Sequence, residues 1–260
     1  MPGQGHRYRG TAAPRDGTQP PAPRRAGTAG AHRAAGSLSC TGRNTNREVN
    51  PMSMIKLDAI DAASLETEPY DYLVVPGVID AGNIEMINRD YPRIEEPTNF
   101  DPSELEYGPA FAQLLQELDS PEFEQHVARK FGVDLDGAIK TITVRKYSEP
   151  SDGHIHADHW SKIITLLVYF NPEWHQEGGR FRVLRSQHDI EDYQAEVPPL
   201  AGTLLAFHRC DHSWHGYKSF DGERRMIQMS WVKPNRFAWY AQQTARFVTH
   251  SCKRVARVFS

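Results

Sequence analysis

Apolar residues change their rhythm once along this chain. Between residues 55 and about 137 they recur largely at helical spacing, and over 139–234 they fall into short blocks divided by Gly, Pro and Asp. In the first region Tyr70-Asp-Tyr-Leu-Val-Val75 predicts a strand that Pro76-Gly77 ends. Asp80 is the expected N-cap of a helix through Ile84, Met86 and Ile87, stopped by Tyr91-Pro92. Glu104 to about Phe131 predicts helix broken near Ser120-Pro121, with Phe111, Leu114, Leu115 and Leu118 along one side. Residues 55–138 therefore form an expected α/β supporting region without evident chemistry.

The second region predicts strands over Ile139–Tyr147, Ile163–Phe170, Arg180–Leu184, Thr203–Phe207, Ser213–Tyr217 and Arg225–Val232. A polar loop, Ser148–Gly153, follows the first of them, and Gly178-Gly179 leads into the third. Many short strands with such turns predict a closed or sandwiched antiparallel sheet across residues 139–234. Residues 235–260 carry Phe237, Tyr240, Phe247, Cys252, Val255 and Phe259 near one helical face, with Arg246, Lys253, Arg254 and Arg257 off it. That pattern predicts a basic amphipathic helix that docks on the body or mediates self-association.

Composition adds a boundary near residue 51. The first 50 residues hold eight Arg, no Lys, and only Asp16 and Glu48 as acids; Ile, Phe and Trp are absent from them. Such a segment buries too little apolar surface to offset its ordering entropy. Residues 1–51 thus read as a disordered tail, an Arg-rich transit segment, or an extension foreign to the working protein, with Met52 and Met54 standing where the texture changes. The remainder carries 22 basic and 31 acidic residues out of totals of 30 and 33. A body near −9 is a poor partner for nucleic acid, so none is expected. No run is apolar enough to cross a bilayer. Three widely separated cysteines, Cys40, Cys210 and Cys252, suit a reducing compartment, and a cytoplasmic location is expected.

The chemistry concentrates in Gly153-His-Ile-His-Ala-Asp-His-Trp160. If this stretch is extended, His154, His156 and Asp158 share one face and His159 takes the other. A His-x-His pair with a third histidine would suit zinc. A His-x-Asp pair with a distant histidine would make the two-His-one-carboxylate set of non-haem Fe(II) oxygenases. Spacing leaves both open. Further donors lie in His208-Arg-Cys-Asp-His-Ser-Trp-His215.

From Tyr147 to Val232 the chain resembles the catalytic core of the 2-oxoglutarate- and Fe(II)-dependent dioxygenases, in particular the prolyl 4-hydroxylase-like branch. The pieces that carry the resemblance arrive in order: His156-Ala-Asp158; Ile163 to Asn171, ending Tyr-Phe-Asn; Gly178-Gly-Arg-Phe-Arg182; Pro199 to Phe207; Ser213-Trp-His215-Gly; then Gly222-Glu-Arg-Arg225 and Trp231. The resemblance implies a mainly β fold with flanking helices around a double-stranded β-helix, a jelly-roll of cupin type. It implies His156, Asp158 and His215 as Fe(II) ligands, with 2-oxoglutarate as cosubstrate, O2 as oxidant and ascorbate as an accessory reductant. It also implies Tyr169 and one arginine as partners of the 2-oxoglutarate carboxylate.

Arg225 is the preferred anchor because it shares strand parity with Trp231; Arg224, after Gly-Glu, is the alternative. Tyr147, His154 and Trp231 are candidate pocket residues. The expected reaction hydroxylates an unidentified acceptor, a peptidyl proline or a small molecule, releasing succinate and CO2. The competing readings are a zinc hydrolase or lyase built on His154, His156 and His215, and a non-catalytic cupin-like binding protein.

Overall fold

The computed structural model describes residues 53–234, so the expected N-terminal tail and the expected C-terminal helix lie outside the described residues. The chain runs α1 (Leu57–Ala62), β1 (Tyr72–Val75), α2 (Ala81–Arg89), α3 (Pro109–Asp119), α4 (Pro121–Phe131), β2 (Ile139–Ser148), β3 (Lys162–Tyr169), β4 (Phe181–Leu184), β5 (Tyr193–Val197), β6 (Leu204–His208), β7 (His215–Gly216) and β8 (Gly222–Val232). Five strands form a larger sheet in the order β1-β6-β3-β8-β2, and three form a smaller one in the order β5-β4-β7. Every strand pairing is antiparallel. This is the jelly-roll arrangement of a double-stranded β-helix.

The helices obey local rules. Pro121 starts α4 at a position whose N–H has no helical partner, and the Ser120 hydroxyl accepts from the Phe123 N–H at 3.1 Å. Gly132, at φ 64°, ends it in the left-handed region. The break expected near Ser120-Pro121 separates α3 from α4. Two details differ from expectation. Residues 102–104 form a single 3₁₀ turn capped by Asp101, and α3 starts at Pro109 rather than Glu104. Asp80 occupies the N-cap of α2, yet its side chain caps nothing and pairs with Lys56 instead. Met86 is exposed, because only Ile84 and Ile87, three residues apart, turn toward the core.

Alternation along the strands divides the interior in two. Ile164, Leu166 and Val168 of β3, Leu204 and Ala206 of β6, and Ile227, Met229 and Trp231 of β8 pack with the helices. The alternate residues Leu167, Tyr169, Leu205, Phe207 and Met226 turn inward between the sheets, against Phe181 and Val183 of β4. The larger sheet is buried on both faces, which explains why its strands read as nearly continuous apolar runs. Only the inward face carries the site.

Candidate active site

His156 lies in the segment before β3 and pairs with His215 across an isolated antiparallel bridge. Each backbone N–H donates to the other residue's carbonyl at 2.9 Å, and the rings stand 4.3 Å apart. Gly153 makes this approach feasible. Its φ is 92°, and a Cβ there would meet the Tyr217 carbonyl at 2.4 Å, while its own carbonyl accepts from the Tyr217 N–H. Asp158, two residues beyond His156, completes a cluster in which one ligand atom from each of the three lies within 4.8 Å of the others.

The second nitrogens fix the orientation of the imidazoles. Nδ1 of His156 lies 2.8 Å from the His154 carbonyl, and Nδ1 of His215 lies 2.9 Å from the Ser213 carbonyl. A carbonyl only accepts, so both Nδ1 atoms carry the proton and both Nε2 lone pairs are free to bind a cation. His215 stacks on Phe181 and touches Phe207, and burial lowers its pKa to about 4, against the opposing pull of Asp158. It is therefore neutral near pH 7, the form that ligates.

Asp158 is held at both oxygens. Lys162 donates to Oδ1 at 2.7 Å, and the Thr165 hydroxyl donates to Oδ2 at 2.6 Å. Burial alone would raise this carboxyl, but the Lys162 ammonium, His215 and the two hydrogen bonds hold it well below the usual carboxylate range. Thr165 in turn lies 3.2 Å from the Ser230 hydroxyl, and having given its proton to Asp158 it accepts there. Two imidazoles and one carboxylate grouped this way suit Fe(II) and leave other coordination positions toward the cavity. His154 is exposed and outside the cluster, contributing its carbonyl rather than its ring, so the His-x-His zinc reading loses a ligand. His159 turns away to Ser161.

The cluster opens on a cavity of about 290 Å³ that Arg224, Met226 and Tyr217 also line. Arg224 is 2% exposed. Its Nε donates to the Gly179 carbonyl at 2.7 Å, its Nη2 to the Tyr169 hydroxyl at 3.3 Å, and its guanidinium lies 4.4 Å from the Tyr217 ring centre. Among the described residues it has no carboxylate partner. A buried guanidinium without a counter-charge is costly unless an anion joins it. Tyr169 is buried, and burial, against the pull of Arg224, pushes its hydroxyl up to about 12, so it keeps a proton to donate.

Four expected site residues lie outside the cavity lining. Arg225 points to the other face of the sheet, where it donates to Asn88, pairs with Glu223 and lies over the Tyr91 ring. Trp231 shares that face, stacking on Phe123 and donating to Glu124 of α4 at 2.8 Å. The parity argument was sound but its reference pointed outward: Trp231 faces the helices, so the residue with opposite parity, Arg224, faces the cavity. Tyr147 is half-buried under Lys146 and lies outside the cavity lining, as does His154. Arg180 and Arg182 are occupied by Glu196.

Lys162, Thr165 and Ser230 were not singled out from the sequence. Thr165 shares the parity of Tyr169 on β3, which was a usable signal. Lys162 carried none, because its reach to Asp158 depends on the turn between them.

A non-haem iron oxygenase is the class of enzyme that this barrel and donor set define. Residues 142–233 match the family described as the 2OG-Fe(II) oxygenase superfamily. The match covers that segment, about a third of the chain, and supports a 2-oxoglutarate- and Fe(II)-dependent dioxygenase that uses O2. No curated protein matches the sequence.

Similar solved structures include a Pseudomonas putida prolyl-4-hydroxylase, with TM-score 0.48 and 14% identity over 69% of this chain and 99% of that one. A Phytophthora capsici prolyl 4-hydroxylase gives 0.46 and 16% over 69% and 63%. The viral collagen prolyl hydroxylase of Paramecium Bursaria Chlorella virus-1 gives 0.40 and 15% over 62% and 94%. Among the described residues no helix is long and apolar enough to cross a membrane.

Proposed function

We propose that the chain hydroxylates its acceptor at a centre in which His156, Asp158 and His215 hold Fe(II) while Arg224 and Tyr169 anchor 2-oxoglutarate. The observation that carries this reading is the buried Arg224 guanidinium, without a carboxylate partner among the described residues, in the same cavity as the His-Asp-His cluster. Its planar fork matches a carboxylate with parallel hydrogen bonds, and the Tyr169 hydroxyl adds a third donor. The cavity is near the lower end of the range for small-molecule sites, which suits a five-carbon dicarboxylate with an acceptor entering from the mouth.

Each residue then has a task. The imidazoles present unprotonated Nε2 atoms, and Lys162 and Thr165 keep Asp158 ionised and fixed in rotation. Phe181, Phe207 and Leu167 shield the metal side from water. When bound, Fe(II) with 2-oxoglutarate and O2 supplies the oxidising chemistry that yields succinate, CO2 and a hydroxylated acceptor.

The test is succinate formation from 2-oxoglutarate by the purified full chain with Fe(II) and ascorbate, across a broad acceptor panel. Succinate is expected from the native chain and not from His215→Ala. Absence of succinate with every acceptor, and without any, would overturn the reading.

A further inference from the structure

The cavity carries two polar side chains that neither the metal nor the cosubstrate uses. Gln228 lies on the inward face of β8, between Leu167 on β3 and Thr143 on β2 in the ladder. Asn99 reaches the same cavity from outside the sheet. Its neighbour Phe100 bridges Val144 on the edge strand β2, with reciprocal backbone bonds of 2.9 Å. Phe100 turns with Val144 toward the helices, so alternation turns Asn99 to the cavity. Neither carboxamide has a hydrogen-bond or ion-pair partner among the described residues.

Charge accounting narrows what they could take. Among the described residues two arginines line the cavity. Arg145 is buried and committed: it pairs with Asp152 and donates to the carbonyls of Tyr147 and Pro97, tying the segment before Asn99 to the edge of the sheet. Arg224 is committed to the cosubstrate on the reading above. Among the described residues no lining cation is left for an anionic acceptor. What remains free is a pair of carboxamides, each with one accepting oxygen and two N–H donors.

We propose that Asn99 and Gln228 are the acceptor-reading residues of this cavity, and that the group they recognise is a neutral amide rather than a carboxylate. An amide offers one acceptor and one donor and so satisfies both side chains. A carboxylate would leave their N–H groups engaged but would enter the barrel without a counter-charge. This inference rests on the proposed function, since it assigns Arg224 to 2-oxoglutarate.

The experiment compares N-acetyl amino-acid methylamides with the matching free amino acids, over all side chains, as drivers of succinate formation by the full chain. Saturation-transfer NMR of the same probes reads binding without turnover. Methylamides are expected to bind and to drive turnover where the acids do not. Gln228→Met and Asn99→Ala should lower the ratio of amide-driven to acceptor-free succinate about 5- to 10-fold, the loss of one hydrogen bond each. Thermal unfolding confirms that the variants are folded.

Preference for the free acids, binding of no methylamide, or an unchanged ratio in both variants would overturn the inference. Acceptor-free succinate with acid-driven turnover would overturn the amide assignment alone. Complete absence of succinate with methylamide binding intact would instead overturn the proposed function.

Discussion

Arg224 and Arg225 are adjacent on one strand and sit in opposite surroundings. Both lie where two residues of β8 oppose the single Lys146 of β2. Arg225 turns toward the helices and is satisfied there by Asn88, Glu223 and the Tyr91 ring. Arg224 turns inward, is almost wholly buried, and meets a carbonyl, a hydroxyl, a thioether and aromatic faces. The difference extends to the whole strand. Ile227, Met229 and Trp231 continue the dry, helix-packed face, whereas Met226, Gln228 and Ser230 continue a face with polar groups. One face holds the fold together and the other is left partly unsatisfied, which is where ligands belong.

The strongest way to break this contrast is on the dry face. Trp231→Ala removes a fully buried ring stacked on Phe123 and its hydrogen bond to Glu124, which among the described residues keeps only Lys140 at 3.6 Å. Urea unfolding should report a loss of about 3–5 kcal/mol, as for other buried Trp-to-Ala changes. The folded fraction should still bind 2-oxoglutarate within about twofold of the native chain, as expected for sites without shared partners. A steep loss of 2-oxoglutarate binding in folded protein would mean that Trp231 belongs to the site after all.

On the inward face, Arg224→Met should leave the barrel folded and raise the 2-oxoglutarate requirement about 10- to 100-fold, since hydrogen bonds to charged groups are worth about 1.5–3 kcal/mol. Anaerobic titration of the metal-loaded protein measures it. A near-native affinity would show that another group holds the distal carboxylate. Thr165→Val sharpens the contrast further, because it deletes the hydroxyl that joins Ser230 to Asp158 while keeping the shape of the side chain. Mn(II) affinity, read by electron paramagnetic resonance, should fall about 10-fold, the lower end for a residue that orients a metal ligand.

How much of this was legible in the sequence follows from the same two faces. Short apolar blocks divided by turn residues located most strands, and the ordered motifs singled out His156, Asp158 and His215, which lie close together in space. Alternation does not say which face is which. The preference for Arg225 rests on strand parity with Trp231, and the Trp231 ring packs on α4. β5 was missed because Tyr193–Val197 lacks an apolar run, and α1 because six residues give too short a period. Asn99 and Gln228 gave no sequence signal, because a free amide becomes noticeable only once its surroundings are known.

The smallest expected effect is the most discriminating. Arg225→Met keeps an aliphatic side chain but removes the guanidinium that lies over the Tyr91 ring and bonds to Asn88 and Glu223. Its side chain retains 23% exposure and that of Glu223 38%, so solvent can replace much of what the pair provides. Stability should fall by no more than about 1 kcal/mol, and the 2-oxoglutarate requirement should not move. If both arginines bound the cosubstrate, Arg225→Met would raise that requirement, and the double variant would exceed the sum of the singles in free energy. If only Arg224 does, the double variant should match Arg224→Met in 2-oxoglutarate affinity and add only the small stability loss. The two outcomes separate a cosubstrate held by Arg224 alone from one shared with Arg225, and so test the assignment of Arg224 on which the neutral acceptor rests.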